Sequence, residues 1–277
     1  MPSIGLIVTG SESLKELQIF AKSLEIWHPD AVLYVATDRE TQVETIKFKG
    51  EIKVKRTLDD YVGKRRYEME SLPGKHYKDL WTDFMYEKAK VIEWMFDAEV
   101  KEAWFLDADI TFLAPLPDIP ETATLALSPH YIRECDTKRF GYYNAGFLCM
   151  RNRKYLEEWK KAGLTSRFYE QAALETIAES AKLENTLYEF PIQVNFGWWR
   201  MFQSVLSPPT ILSKFSIFRK EQSVGIRYDG KALQSVHTHW NDKGEYGLQA
   251  FNNSFRTLLK KFINHPPIKV FCSSILS

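Results

Sequence analysis

Apolar positions along this 277-residue chain switch repeatedly between the spacing of a buried strand and that of a helix. Ile4-Gly-Leu-Ile-Val-Thr9 is an unbroken apolar run, the pattern of a strand covered on both faces. Beyond Gly10, the residues Leu14, Leu17, Phe20, Ala21 and Leu24 recur at helical spacing. Ser11 or Ser13 is expected to cap that helix, and Glu16 completes a capping box with Ser13. A second buried run, Ala31 to Ala36, ends in Thr37-Asp38. Strand, helix and strand in this order predict a βαβ unit and a parallel sheet. Glu51 to Arg56 alternates as a third strand. The stretch from Asp59 to Lys78 is charged, contains Pro73-Gly74, and has no period, as in a loop lying over a site. Helical spacing returns from Leu80 to Phe96. Strands are then predicted at Trp104 to Leu106, at Thr124 to Leu127 and near Asn144 to Met150. Helices are predicted at Arg153 to Lys161 and from Tyr169 onward, and a further strand at Leu233 to Val236. The face traced by Leu248, Phe251, Phe255, Leu258, Leu259 and Phe262 marks a last helix. With no internal repeat or low-complexity linker, residues 1–277 read as a single α/β domain, its C-terminal helix and tail starting at about residue 246.

The segment from Ala103 to Pro117 carries the chemistry. Trp104, Phe105 and Leu106 end abruptly in two carboxylates, Asp107 and Asp109, and Pro115 and Pro117 exclude further helix or central strand. Two acids at the tip of a buried strand are costly unless a cation lies between them. In an open α/β sheet that tip is also where ligands bind. Asp107 and Asp109 therefore read as half of a divalent-metal site facing an anionic ligand. Near the other end of the chain, His237 and His239 follow a short strand and point the same way, so spacing alone does not choose between them.

Composition narrows the setting. Hydrophobic residues make up 44% and charged residues 26%, as in a soluble globular protein, and the formal net charge is +1. No global field favours nucleic acid, so any attraction for phosphates is local. Aromatics reach 14% with eight Trp, which serve a packed core or sugar platforms; Trp198-Trp199 reads as core. Three cysteines without ligand spacing argue against a disulfide framework and for a reducing compartment. Without a spanning run or signal peptide, a cytoplasmic protein is expected.

Leu106-Asp107-Ala-Asp109-Ile110 resembles the D-x-D segment of GT-A-fold glycosyltransferases, especially the retaining group with glycogenin and bacterial lipopolysaccharide galactosyl- and glucosyltransferases. Phe140-Gly-Tyr-Tyr-Asn-Ala-Gly-Phe-Leu-Cys-Met150 is similar to that family's Asn-Ala-Gly strand. The resemblance implies a GT-A fold, a Rossmann-like mixed and mainly parallel sheet flanked by helices. It also implies Mn²⁺ or Mg²⁺ and a nucleotide-sugar donor, a UDP-sugar. Asp107, Asp109 and His237 or His239 would hold the metal, with Asp107 bridging to the ribose. Thr9 and Asp38 would meet the uridine, and Lys88 and Lys243 the diphosphate. Asn144, Glu170 and Gln171 would line the sugar, Ser128 and His130 would face donor or acceptor, and Asn195 would close the acceptor side. Glu170 stands where the family has Asp, and the family's His-x-Gly-x-x-Lys-Pro-Trp ending is absent.

The expectation is thus a metal-dependent, retaining glycosyltransferase acting on a saccharide, lipid-linked or protein acceptor, with peripheral membrane contact through the last helix as a minority reading. A sugar nucleotidyltransferase is disfavoured because the first turn lacks a Gly-rich, Arg-bearing loop. A non-catalytic sugar-binding protein would use the Trp and Tyr residues and need no clustered acids.

Overall fold

The computed structural model describes residues 1–220, 223–240 and 246–260. Strands, in chain order, are β1 Ser3–Val8, β2 Val32–Thr37, β3 Glu51–Arg56, β4 Ala103–Leu106, β5 Ile110–Phe112, β6 Leu125–Pro129 and β7 Tyr143–Met150. They continue as β8 Leu187–Glu189, β9 Phe196–Gly197, β10 Phe215–Lys220, β11 Ser223–Tyr228, β12 Lys231–Ala232 and β13 Ser235–His237. Seven of them form the central sheet in the order β3-β2-β1-β4-β7-β6-β8. β7 runs antiparallel to both its neighbours, β4 and β6, whereas the β1–β2, β2–β3, β1–β4 and β6–β8 pairs are parallel. The sheet is mixed and mainly parallel, and the βαβ opening predicts its parallel β1–β2 pair.

Strand alternation explains why the strands are apolar throughout. Tyr34, Phe105, Leu127 and Leu148 point to one face, beneath the helices Glu87–Asp97, Arg153–Gly163 and Leu174–Leu183. Leu6, Leu33, Leu106 and Phe147 point to the other, beneath the helix Gly10–Trp27. Each such side chain, fully buried, contributes roughly 1.5–3 kcal/mol. Gly5 is glycine because the helix Glu87–Asp97 lies directly on β1; a Cβ there would overlap the Val91 side chain. A third apolar cluster, including Phe196, Tyr228, Trp240, Phe251 and Phe255, joins the C-terminal helix Tyr246–Lys260 to the smaller sheets.

Several local expectations shift. The first helix starts at Gly10 with Thr9 as its N-cap residue, and Ser13 sits inside it, its hydroxyl bonded to the Thr9 backbone. The run from Leu80 breaks at Tyr86 into Leu80–Met85 and Glu87–Asp97, the first half capped by Asp79 accepting from the Thr82 amide at 2.7 Å. The aperiodic stretch holds a short helix, Arg66–Ser71. Phe262 of the predicted last helix lies outside the described residues.

Two features aim the chain at one edge. The carboxyl ends of β1 and β2 are tied together through Asp38, which is fully buried. Its Oδ2 accepts from Thr41 Oγ1 at 2.6 Å and Thr9 Oγ1 at 2.7 Å, and its Oδ1 from the Glu40 and Thr41 amides at 2.8 Å each. Beside them, β5 pairs with β13 so that Ile110 faces His237, and the Thr238 amide donates to the Asp109 carbonyl at 3.0 Å. That ladder carries a histidine from near the end of the chain to the tip of β4.

Burial pushes the Asp38 carboxyl up, but the hydrogen bonds from Thr41 and Thr9 outweigh it and hold the group at about 2, below its ordinary 3.8. A depressed folded value stabilises the fold above the unfolded value and loses that contribution as pH falls through the folded one. Stability should therefore decline from near pH 3.8 toward about 2. Urea midpoints measured across this window should fall less steeply for Asp38→Asn than for the parent; equal slopes would remove Asp38 from the acid response.

Candidate active site

Asp107 and Asp109 follow β4 directly, and the Asp107 amide donates to the Gly146 carbonyl of β7 at 2.9 Å. The β6–β7 register slips between Leu127 and Ser128, so Ser128 faces Asn144 and Gly146 is left opposite the β4 tip. Gly146 has no alternative here, because a Cβ would overlap the Asp107 carboxylate and the His237 ring. His237 Nε2 lies 3.1 Å from Asp109 Oδ1 and 3.8 Å from Asp107 Oδ2. Ligand atoms of Asp107, Asp109 and His237 all fall within 4.8 Å of one another. Two carboxylates and one imidazole, converging on a space kept open by a glycine, fit a divalent cation. His239 meets Asp109 at 3.4 Å, and its side chain is half exposed.

Charge governs this cluster. Burial works against ionisation of Asp109, yet the neighbouring His237 and His239 pull its carboxyl well below the usual range. Burial likewise lowers His237, and Asp109 and Asp107 reverse that to raise it. Lys88, on the helix Glu87–Asp97, adds the opposite sign: its ammonium lies 3.1 Å from Asp107 Oδ1 and 3.1 Å from Glu170 Oε1. Lys88 and Glu170 are both buried. Burial would lower Lys88, but the charges of Asp107 and Glu170 raise it; burial raises Glu170 against the pull of Lys88.

Glu170 is held by strained backbone. Tyr169 just before it has φ of 43°, a left-handed conformation rare for an aromatic residue. The Tyr169 hydroxyl donates to Glu70 and accepts from Arg66 Nη2 at 3.0 Å, which fastens it to the helix Arg66–Ser71. Arg66 also lies over the rings of Trp81 and Tyr169, 5.4 and 5.2 Å from their centroids. From below, Trp159 Nε1 donates to the Glu170 carbonyl at 2.7 Å. Gln171 is tied by its amide to the Phe140 carbonyl at 2.8 Å.

These groups open on a cleft of about 1540 Å³. Among the site residues expected from sequence, Thr9, Lys88, Asp107, Asp109, Glu170, Gln171, His237 and His239 line it. Asp38, Ser128, His130, Asn144 and Asn195 do not line it; each is buried behind the wall. Lys243 lies outside the described residues. Arg66, Trp81, Tyr169, Trp240 and Arg256 also line the cleft and were not expected there. Trp81 and Arg256 sit on amphipathic helices, where sequence shows a face but not what faces it. Arg66 belongs to the aperiodic stretch, with only its basic neighbours Lys64 and Arg65 as a cue.

The sequence matches no family model and no curated protein. The galactosyltransferase LgtC, solved in complex with donor and acceptor sugar analogs, superposes with a TM-score of 0.52, covering 91% of this chain and 94% of its own at 16% identity. The fold is GT-A. Mouse xyloside xylosyltransferase 1 in its apo form gives a TM-score of 0.49 at 10% identity, over 85% of this chain and 96% of its own. The GT-A sheet thus carries the Asp-x-Asp pair at the tip of β4, in reach of His237.

Removing one member of a buried ion pair leaves the other uncompensated, a loss of about 3–5 kcal/mol. Lys88→Met should lower the urea midpoint accordingly, and adding Glu170→Gln to it should restore part of the loss. An unchanged midpoint for Lys88→Met would show that the ammonium does not bear the charge of Asp107 and Glu170.

Proposed function

We propose that this chain is a metal-dependent glycosyltransferase that moves a sugar from a UDP-sugar to a saccharide, lipid-linked or protein acceptor with retention. The convergence of Asp107, Asp109 and His237 at the floor of a GT-A cleft is the observation that carries the reading. In this reading the three residues hold Mn²⁺, which acts when bound as a Lewis acid on the departing diphosphate. Imidazole beside two hard oxygens favours Mn²⁺ over Mg²⁺. Lys88 turns its ammonium toward the same diphosphate and stabilises charge developing there. Thr9 meets the nucleoside at the end of β1, and Asp38 supports it from behind by their shared hydrogen bond. Glu170 and Gln171 face the sugar, and Lys243 is assigned to the diphosphate. Among the described residues Cys135 and Cys149 are free thiols, which supports a reducing compartment, the cytoplasm, in this reading. No helix among the described residues is long and apolar enough to cross a membrane.

Calorimetric titration with UDP should show far tighter binding with Mn²⁺ than with chelator, and Asp109→Asn should abolish the difference while leaving the fold intact. Equal affinity in both conditions would sink the metal site. Released nucleotide across a panel of nucleotide sugars identifies the donor; Mn²⁺-dependent binding without turnover of any would favour a non-catalytic binder.

Retention is tested separately. Displacement on one face of the sugar, guided by the diphosphate, needs no protein nucleophile. Glu170→Gln should then reduce kcat by about 10²–10³, the size of one electrostatic contact. Near-normal turnover would remove Glu170 from the site, and an inverted anomer seen by NMR with the unmodified enzyme would refute retention.

A further inference from the structure

The polar residues buried behind the cleft form one continuous hydrogen-bonded line, and two backbone groups determine its direction. The Gly146 amide can only donate, and it meets Asn144 Oδ1 at 3.1 Å. Asn144 Nδ2 therefore points the other way, at His130 Nε2, 3.4 Å distant. An amide nitrogen only donates, so His130 Nε2 is the bare nitrogen of that ring. Its Nδ1 then carries the hydrogen and donates to the Gly141 carbonyl at 3.0 Å, an acceptor that cannot be reversed.

In the other direction, Asn144 Oδ1 also accepts from Asn195 Nδ2 at 3.1 Å, and the same nitrogen reaches Ser128 Oγ at 3.2 Å. This turns Asn195 Oδ1 toward His237 Nδ1 at 3.2 Å. A carbonyl oxygen only accepts, so His237 Nδ1 carries hydrogen. Its Nε2 is left for the two carboxylates 3.1 and 3.8 Å away. Carboxylate oxygens also only accept, so without a metal Nε2 carries hydrogen as well, and a cation between the ring and the carboxylates would take that hydrogen's place while Nδ1 keeps its own.

Behind His237 the line is electrically neutral. His130 is buried, and burial, added to by the charge of Arg200, brings it down to about 3 against the pull of the Gly141 carbonyl. Arg200 Nε donates to the His130 carbonyl at 2.9 Å and anchors that end. The Trp199 ring stands edge-on to both histidines, 5.5 Å from His130 and 5.0 Å from His237, and limits rotation of either ring.

We propose that His130, Asn144 and Asn195 are positioning residues that set the tautomer of His237, presenting its Nε2 lone pair to a cation held by Asp107 and Asp109. The cation itself rests on the function proposed above; the tautomer does not. Asn144, His130 and Asn195 are thereby assigned to the ligand's support rather than to donor or acceptor contact. Outer partners of metal-bound histidines typically govern affinity by about 10–100-fold.

Long-range ¹H–¹⁵N spectra of metal-free protein labelled with ¹⁵N-histidine test this. Hydrogen should sit on Nδ1 of His237 in the unmodified protein. Asn195→Asp keeps an acceptor and should keep the Nδ1 hydrogen, whereas Asn195→Leu should leave hydrogen on Nε2 alone. Mn²⁺ affinity, measured by water-proton relaxation, should fall about 10–100-fold in Asn195→Leu, whereas Asn195→Asp, which keeps the acceptor and adds a negative charge, should not lose affinity. A bare Nδ1 in the unmodified protein overturns the proposal, as does a retained Nδ1 hydrogen in a folded Asn195→Leu. If Asn195→Leu does not fold, the tautomer of the unmodified protein decides. Absence of Mn²⁺ binding with Nδ1–H in place would overturn the metal reading and uphold the tautomer assignment.

Discussion

Negative charge gathered at the carboxyl end of a buried strand shapes everything around it in this fold. β4 is covered on both faces, so Asp107 and Asp109 emerge from apolar surroundings, Asp109 buried and Asp107 partly open to the cleft. The neighbouring elements supply compensation from several sides. One helix brings Lys88, the ladder of β5 with β13 brings His237, and the turn after β13 brings His239. Glu170 draws on the same ammonium, so the acid expected beside the sugar and the acid expected beside the metal share one counter-charge. A change at any of these positions redistributes charge across the others.

Much of this was readable from the chain. Unbroken apolar runs identified β1, β2 and β4 because both sheet faces are covered, and the step from Leu106 into two acids followed by prolines located the centre. Depth was not readable. Ser128, His130, Asn144 and Asn195 stand out as polar residues in apolar company, but only their hydrogen bonds to one another and to His237 show that they form one buried line beside the acids. The choice between His237 and His239 was equally closed to spacing, since both point the same way along an extended chain. Pairing resolves their positions: the ladder ends with Ile110 facing His237, and His239, beyond it, turns toward solvent. Strands β10 to β12 have no counterpart in the expectations, because their mixed side chains show neither a buried run nor a long alternation.

The strain at Tyr169 belongs to the same economy of position. A left-handed aromatic residue persists only where its surroundings over-determine it. Here Glu70, Arg66 and the ring of Trp81 hold the side chain, while Trp159 holds the next carbonyl. The aperiodic stretch thus contributes to the site through a short helix whose role depends on a residue far along the chain.

The pairing of β5 with β13 has a consequence for how the protein comes into being. Asp107 and Asp109 leave the ribosome well before His237 and the strand that carries it. Until then the two acids lack their imidazole, and β5 lacks the neighbour that satisfies its backbone. A nascent chain therefore presents an incomplete cluster of acids and imidazole and an open strand edge together, and both are closed by one docking event. Completion of the cluster and of the β5–β13 ladder is in this sense the same step, so a truncation that spares every residue up to β12 would leave both unfinished.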